Sequence, residues 1–174
     1  PPKDIQCQAF RLQIGLAREL RLPIILHSRE SHSEVFSILR EERAYEVGGI
    51  FHYFQQDEQA ANEAADMGFL ISLAKPLLRL SDLQETVKSI PIENIVLETD
   101  SAPQPWKKYR HNWTEPFHIK MVADKVAAIK ELPVDEVMNQ TTTNLLKLIK
   151  LSPDLVEDHL SPLDIIEPKK IKDR

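Results

Sequence analysis

The sequence lacks the marks of several protein classes. Cys7 is its only cysteine, so no disulfide can form within the chain, as is usual in a reducing compartment. No apolar run approaches the ~18 residues of a membrane helix, and the opening segment lacks the apolar core and the cleavage site of a signal peptide. The 22 basic residues are outnumbered by 27 acidic ones, which argues against broad nonspecific binding to nucleic acid or anionic membranes. We therefore expect a cytoplasmic protein that does not associate with membranes.

Short apolar runs alternate along the chain with amphipathic segments. Runs with the β-branched and aliphatic content of buried strands cover 22–27, 47–52, 68–73 and 94–100. Helical periodicity predicts helices over 33–42, 57–66, 81–89, 117–131 and 134–149. Near-continuous apolar strands that alternate with helices are typical of parallel strands covered by helices. We therefore predict an α/β fold.

Three further features concern the ends of the chain and one helix start. Ahead of the first strand, apolar residues recur at helical spacing, at Ile5, Ala9, Leu12, Leu16 and Leu20. Ser81 and Gln84 have the spacing of a capping box, which would open the helix there. Segment 152–174 is charged and interrupted by prolines, and we interpret it as a peripheral tail after a domain over 1–151.

Three of the predicted strands end on a residue that can bind a metal ion, namely His27, His52 and Asp100. Because the carboxyl ends of parallel strands meet at one edge of the sheet, we expect these side chains to converge. Each one alone has an ordinary explanation, as a hydrogen-bonded histidine or as the aspartate of a turn. Together they favour a divalent metal site, because charged groups are costly to bury after apolar runs. Glu98 either supports such a site or belongs to an internal hydrogen-bonding network.

The loop over 104–116 follows Asp100 directly and should overhang the same edge of the sheet. It interleaves aromatic and basic residues, among them Trp106, Lys107 and Arg110. Aromatic faces for bases and cations for phosphates are typical of proteins that bind single-stranded nucleic acid. The alternative is a solvated loop whose tryptophans hold it against the rest of the protein. Both tryptophans of the chain lie here, which favours contact with a ligand.

Two charged residues near this edge have open roles. Arg29 lies two residues beyond His27, where it could reach an anionic substrate or form a surface ion pair. Glu115 closes the loop, either as the first-turn acid of the next helix or as a site residue. Arg29 and Glu115 are therefore candidate substrate-binding residues.

Several segments resemble, in order and spacing, the TatD-like metal-dependent hydrolases, which are (β/α)8 TIM-type barrels of the amidohydrolase kind. They are "ARELRLPIILHSRES", "GGIFHYF", "MGFLISL", "IPIENIVLETDSAPQP", "RHNWTEP" and "TTTNLLKLIKL". The resemblance implies that His27, His52 and Asp100 lie at metal-binding positions for Mg²⁺, Mn²⁺ or Zn²⁺, and that Asp100 is also catalytic. It further implies hydrolysis of DNA as substrate, commonly by 3′-to-5′ exonuclease action. We expect no stable protein partner.

The sequence also departs from the family pattern. Family members carry a His-x-His pair on the first strand and a metal-bridging glutamate on the fourth, and this chain has neither. We therefore expect it to supply about the second half of a barrel. The "RHNWTEP" stretch is longer than the usual Arg-Asn-Glu-Pro pattern, which leaves the role of Glu115 open. Two alternatives remain: an amidohydrolase that acts on a small amide or ester, and a non-catalytic half-barrel remnant that binds a partner.

Overall fold

Four parallel strands form the centre of the fold in the computed structural model, which describes residues 2–104, 109 and 113–150. They are β1 (Ile24–His27), β2 (Gly49–His52), β3 (Phe69–Leu73) and β4 (Ile95–Leu97). The strands lie in sequence order, β1-β2-β3-β4, in one sheet. All neighbouring pairs are parallel, and this confirms the predicted α/β fold. Sequential order is also the order of neighbouring strands in a (β/α) barrel.

Six α-helices flank the described strands, at nearly the predicted positions. They are α1 (Lys3–Leu20), α2 (His32–Glu41), α3 (Glu58–Asp66), α4 (Ser81–Ser89), α5 (Ile119–Lys130) and α6 (Val134–Ile149). None of the described helices combines the length and the apolar character that crossing a bilayer would need. The predicted tail over 152–174 lies outside the described residues.

The predicted capping box at the start of α4 is wrong. The helix begins at Ser81, so Leu80 occupies the N-cap position, and no side chain caps the helix there. The Ser81 hydroxyl instead donates to the Asp82 carboxylate at 3.3 Å, and the Gln84 amide donates to the Leu77 carbonyl at 2.8 Å. A capping box requires its serine at the N-cap, one residue before the helix, and here the serine lies inside the first turn.

The hydrophobic core lies between the helices and one face of the sheet. Alternate strand residues on this face are buried: Leu26, Phe51, Phe69, Ile71, Leu73 and Ile95. Phe51 stacks on Phe36 of α2, with ring centroids 5.1 Å apart, and meets the edge of Phe69 at 5.3 Å. Offset and edge-to-face aromatic pairs add stability beyond the area that they bury. This core fixes the strand ends in position.

Helix α1 has two apolar faces, and the one described above as a stripe is not the buried one. All five stripe residues are exposed. The helix contacts the core through Ile14, which is fully buried, with Cys7 and Phe10 packed partly buried beside it. Periodicity alone detects an apolar face but does not tell which of two such faces is covered.

The sheet face opposite the core is partly open at β1. Ile25 is 73% exposed there, and it shares its face with His27, since side chains two residues apart on a strand point the same way. Among the described residues, β1 and β4 each pair with a strand on one side only.

Gly49 brings β1 and β2 into close contact. A Cβ atom at this position would lie 2.0 Å from the Ile24 carbonyl oxygen and 2.7 Å from the Phe69 ring. No carbon atom fits at these distances, so only glycine allows this approach. The register that follows pairs Ile24 with Gly49 and carries on to the ends of both strands.

A buried asparagine attaches α6 to the strand that leads into the candidate site. The Asn144 side-chain amide donates to the carbonyls of Ile92 and Ile95, each at 2.8 Å. Its own oxygen accepts a hydrogen bond from Gln140 at 2.8 Å. Both polar groups of the buried Asn144 side chain are therefore paired, as is usual for buried polar groups.

Candidate metal site

His27 and His52 lie side by side at the carboxyl ends of neighbouring strands. They are register partners in the β1–β2 pairing, and their ring centroids are 5.8 Å apart. His27 is exposed, whereas His52 is partly buried. The structure therefore brings these two predicted ligands together at the expected edge.

Asp100 reaches the same edge, but from beyond the end of the strand and not as its last residue. The prediction of one strand over 94–100 is wrong beyond Leu97, because β4 pairs with β3, which itself ends at Leu73. Asp100 has φ 51°, in the left-handed region that aspartate tolerates better than most residues. Its side chain is 56% exposed, and its Oδ1 lies 3.6 Å from His52 Nε2.

Glu98 lies directly behind His52. Its Oε2 accepts hydrogen bonds from His52 Nδ1 at 2.8 Å and from the Ser72 hydroxyl at 2.5 Å. Its other oxygen, Oε1, is buried and has no hydrogen-bond partner among the described residues. Of the two roles that the sequence left open for Glu98, the contact with His52 favours support of the site. Ser72 was not identified from the sequence, although a polar residue within an apolar strand is a usable signal.

The chemistry of these groups fits a divalent cation. His52 Nε2 and Asp100 Oδ1 face each other at 3.6 Å, beyond hydrogen-bond distance. Two atoms that each bond one metal ion at about 2 Å lie roughly 3 to 4 Å apart. Among the described residues, no three His, Cys, Asp or Glu side chains already form a cluster that could hold a metal ion. That His27, His52 and Asp100 share one coordination sphere therefore stays a prediction.

Tyr53 is a neighbour of this site that sequence reasoning missed. It is half-buried, has φ 54°, and its ring centroid lies 5.9 Å from that of His52. Burial raises the pKa of Tyr53, the carboxylates of Asp100 and Glu98 raise it further, and Arg79 lowers it. The phenol therefore stays protonated at neutral pH and is available as a hydrogen-bond donor next to the carboxylates.

The predicted substrate-binding residues are described only in part. Trp106, Lys107 and Arg110 lie outside the described residues. Arg29 is highly exposed, with its Nε 3.7 Å from the Glu30 carboxylate, which matches the alternative of a surface ion pair. Such exposed pairs contribute little to stability. A role for Arg29 with substrate stays a prediction.

Glu115 caps the short 3-10 helix Pro116–His118. Its side chain accepts from the His118 backbone, while His118 Nδ1 accepts from the Glu115 backbone N–H at 2.8 Å. A capping role therefore accounts for Glu115, and its contact with substrate stays a prediction. The pKa of His118 is lowered, first by burial and then by the nearby charge of Lys75.

We expect this reciprocal cap to weaken at acidic pH. His118 must be neutral to accept at Nδ1, and its pKa in the folded state lies below that in the unfolded state. The contribution to stability is therefore complete above the unfolded pKa of about 6.5 and is lost as the pH falls through the folded pKa. Urea unfolding of wild type and His118→Ala should differ more at about pH 7.5 than at about pH 5. An equal difference in stability at both pH values would contradict the role of neutral His118 in this cap.

Comparison with known proteins places this chain in a family. The family model described as "TatD related DNase" matches residues 1–150. An uncharacterized metal-dependent hydrolase, YabD of Bacillus subtilis, is 38% identical over 156 residues, which cover 87% of this chain and 60% of YabD. The human deoxyribonuclease TATDN3 is 36% identical over 147 residues, covering 84% of this chain and 52% of TATDN3. The chain thus spans between half and three fifths of the length of these relatives.

Solved structures of TatD family proteins share this fold. The crystal structure of a TatD family hydrolase from Entamoeba histolytica superposes with a TM-score of 0.75 at 23% identity, covering 86% of this chain and 58% of that one. At this identity the likeness concerns the fold alone, and it supports a TIM-barrel type, in agreement with the parallel sheet in sequential order. With a family model that covers residues 1–150 and relatives above 30% identity, the chain belongs to the TatD related DNase family.

Proposed function

We propose that this chain is part of a metal-dependent phosphodiesterase that removes nucleotides from DNA ends, with 3′-to-5′ polarity. The observation that carries the proposal is the pair formed by His52 Nε2 and Asp100 Oδ1, 3.6 Å apart at the carboxyl edge of the sheet. Family membership and the name of the human relative, deoxyribonuclease TATDN3, support DNA as the substrate. DNA hydrolysis would be an activity of the whole protein, since this chain spans only part of the length of its relatives.

In this proposal His27, His52 and Asp100 hold the divalent ion, as Mg²⁺, Mn²⁺ or Zn²⁺. When bound, such an ion supplies Lewis-acid chemistry, by lowering the pKa of a coordinated water and offsetting negative charge on the phosphate. Asp100, the most exposed of the carboxylates around His52, accepts the proton of the attacking water. Tyr53 would donate to a phosphate oxygen, because its phenol stays protonated.

DNA would approach over the loop that follows Asp100. We propose that Trp106 stacks on a base and that Lys107 and Arg110 bind phosphates, with Arg29 across the edge. The net charge of −5 disfavours nonspecific attraction to DNA. The electrostatic attraction to the DNA phosphates would therefore have to come from these local cations.

We also propose that the four strands are about half of a larger barrel. A TIM-type barrel needs eight strands, and the exposed Ile25, on the sheet face that carries His27, is the kind of apolar surface that would be buried inside a closed barrel. The matched residues cover only 60% of YabD and 52% of TATDN3. On this proposal, the 174-residue chain lacks part of the ligand set and has little or no activity by itself.

The test is cleavage of a single-stranded oligonucleotide labelled at its 5′ end. We expect a ladder shortened from the 3′ end, dependent on Mg²⁺, Mn²⁺ or Zn²⁺ and abolished by a chelator. The 174-residue chain is assayed beside a version extended to the length of its relatives, and the extended one should be far more active. Equal activity of both would contradict the half-barrel proposal. Hydrolysis of small esters or amides without DNA cleavage would contradict the proposed substrate.

A further inference from the structure

A hydrogen-bonded chain of three residues lies behind the candidate ligands. Ser72, only 2% exposed in β3, donates from its hydroxyl to Glu98 Oε2 at 2.5 Å. The same oxygen accepts from His52 Nδ1 at 2.8 Å. The Glu98 side chain is 18% exposed, so this contact is largely shielded from bulk water. Shielding strengthens hydrogen bonds to a charged acceptor.

The sheet register explains how these three residues meet. The β2–β3 pairing joins Phe51 to Ile71, and continuing it by one residue places Ser72 beside His52. Ser72 in turn pairs with Val96 of β4, two residues before Glu98 on the same face. Adjacent parallel strands thus deliver a hydroxyl, a carboxylate and an imidazole to one point.

The contact determines which ring nitrogen of His52 carries its proton. An ionised carboxylate can only accept, so the Nδ1 that faces it must be protonated. In a neutral ring the lone pair then lies on Nε2, which faces Asp100 Oδ1. A histidine that binds a metal ion commonly donates its other N–H to a carboxylate in this way.

We infer that Glu98 and Ser72 are positioning residues, which hold His52 in the Nδ1–H tautomer so that its Nε2 lone pair is directed to the divalent ion. This inference rests on the proposed function, because it takes His52 as a ligand. Glu98 sets the tautomer and Ser72 keeps the carboxylate in place. Neither residue touches substrate.

The second oxygen of Glu98 argues against a purely structural network. Such a network would satisfy both oxygens, since an unsatisfied buried acceptor is costly. Glu98 Oε1 is buried and has no hydrogen-bond partner among the described residues, while Oε2 accepts two hydrogen bonds. The carboxylate is therefore placed for His52 at the expense of its own hydrogen bonding.

The first measurement reads the tautomer in the metal-free 174-residue chain. Long-range ¹H–¹⁵N NMR spectra at about pH 8, where histidine is ordinarily neutral, distinguish a protonated from a bare ring nitrogen. The signals of His52 are assigned as those lost in His52→Gln. We expect the Nδ1–H form to dominate. A dominant Nε2–H form, or an even mixture, overturns the inference.

The second measurement compares variants by tautomer and by Zn²⁺ affinity, using a competing chelator. Glu98→Ala should shift the proton towards Nε2 and weaken Zn²⁺ binding about 10- to 100-fold. Ser72→Ala should give a smaller change in the same direction. The control is Glu93→Ala, an exposed acid just before β4, which should change neither readout.

An unchanged tautomer and affinity in folded Glu98→Ala overturns the inference. Should that variant fail to fold, the wild-type tautomer and the small Ser72→Ala change decide in the same way. The tautomer is read without metal and without DNA. A protein that shows the Nδ1–H form but cleaves no DNA would therefore contradict the proposed function alone.

Discussion

Asp100→Asn is expected to abolish DNA hydrolysis while leaving the fold intact. The amide keeps the volume of the carboxylate but loses its negative charge, so it binds a divalent ion weakly and accepts no proton. Loss of a general base alone costs about 10²- to 10⁴-fold in rate. Asparagine tolerates the left-handed backbone at this position, φ 51°, as aspartate does, so little strain is added. The measurement is kcat on the labelled oligonucleotide, with the substitution made in the version extended to the length of the relatives.

The matched control for this prediction is Asp66→Asn. Asp66 is exposed in the last turn of α3, away from the strand ends that carry the site. It should keep wild-type kcat, and both variants should unfold at nearly the wild-type urea concentration. Near-normal turnover in Asp100→Asn would rule out its catalytic role.

Asn144→Ala is expected to lower the free energy of unfolding by about 1 to 3 kcal/mol. The substitution removes the donor for the carbonyls of Ile92 and Ile95. The Ile92 carbonyl keeps the Ile95 backbone N–H, whereas the buried Ile95 carbonyl loses its Asn144 donor, and an unsatisfied buried acceptor costs about 1 to 3 kcal/mol. Because Ile95 begins β4, which leads into Glu98 and Asp100, the loss should also reduce affinity at the proposed metal site. Urea unfolding and Zn²⁺ titration measure the two effects.

Asn139→Ala on the same helix is the control. Asn139 is exposed, so the same change of side chain should alter stability by less than about 0.5 kcal/mol. Alanine favours a helix more than asparagine does, so helix propensity cannot account for a loss in either variant. An equal loss in both variants would contradict the assignment of the effect to the junction with β4.

The sequence was sufficient to predict the strands and helices where each residue's environment is set by its near neighbours along the chain. The strand runs are apolar enough, and the helices periodic enough, that all four strands and the main helices lie within a few residues of the prediction. The ends His27 and His52 followed from the rule that parallel strands place their carboxyl ends at one edge. Glu98 beside His52 was not predictable to the same degree, since it depends on register between strands 46 residues apart.

What the sequence could not determine depends on neighbours distant along the chain. The end of β4 at Leu97 is set by where β3 ends, not by the apolar run itself. The covered face of α1 is set by what packs against it, so Ile14 is buried and the longer stripe is not. The Ser81 capping box failed because capping needs a particular backbone conformation as well as the right spacing.

The contact at Gly49 limits how the proposed metal site could be redesigned for different divalent ions. The separation of His27 and His52 follows from two main chains that approach until no side chain fits between them. A substitution at Gly49 would place a carbon atom against the Ile24 carbonyl oxygen and disrupt the pairing of β1 with β2. The separation of the two histidines therefore cannot be adjusted to a larger or smaller ion at this position. Asp100 lies beyond the end of β4, and its side chain is 56% exposed. The ion selectivity of the proposed site should therefore be adjustable through the backbone around Asp100, while the separation of the two histidines stays fixed.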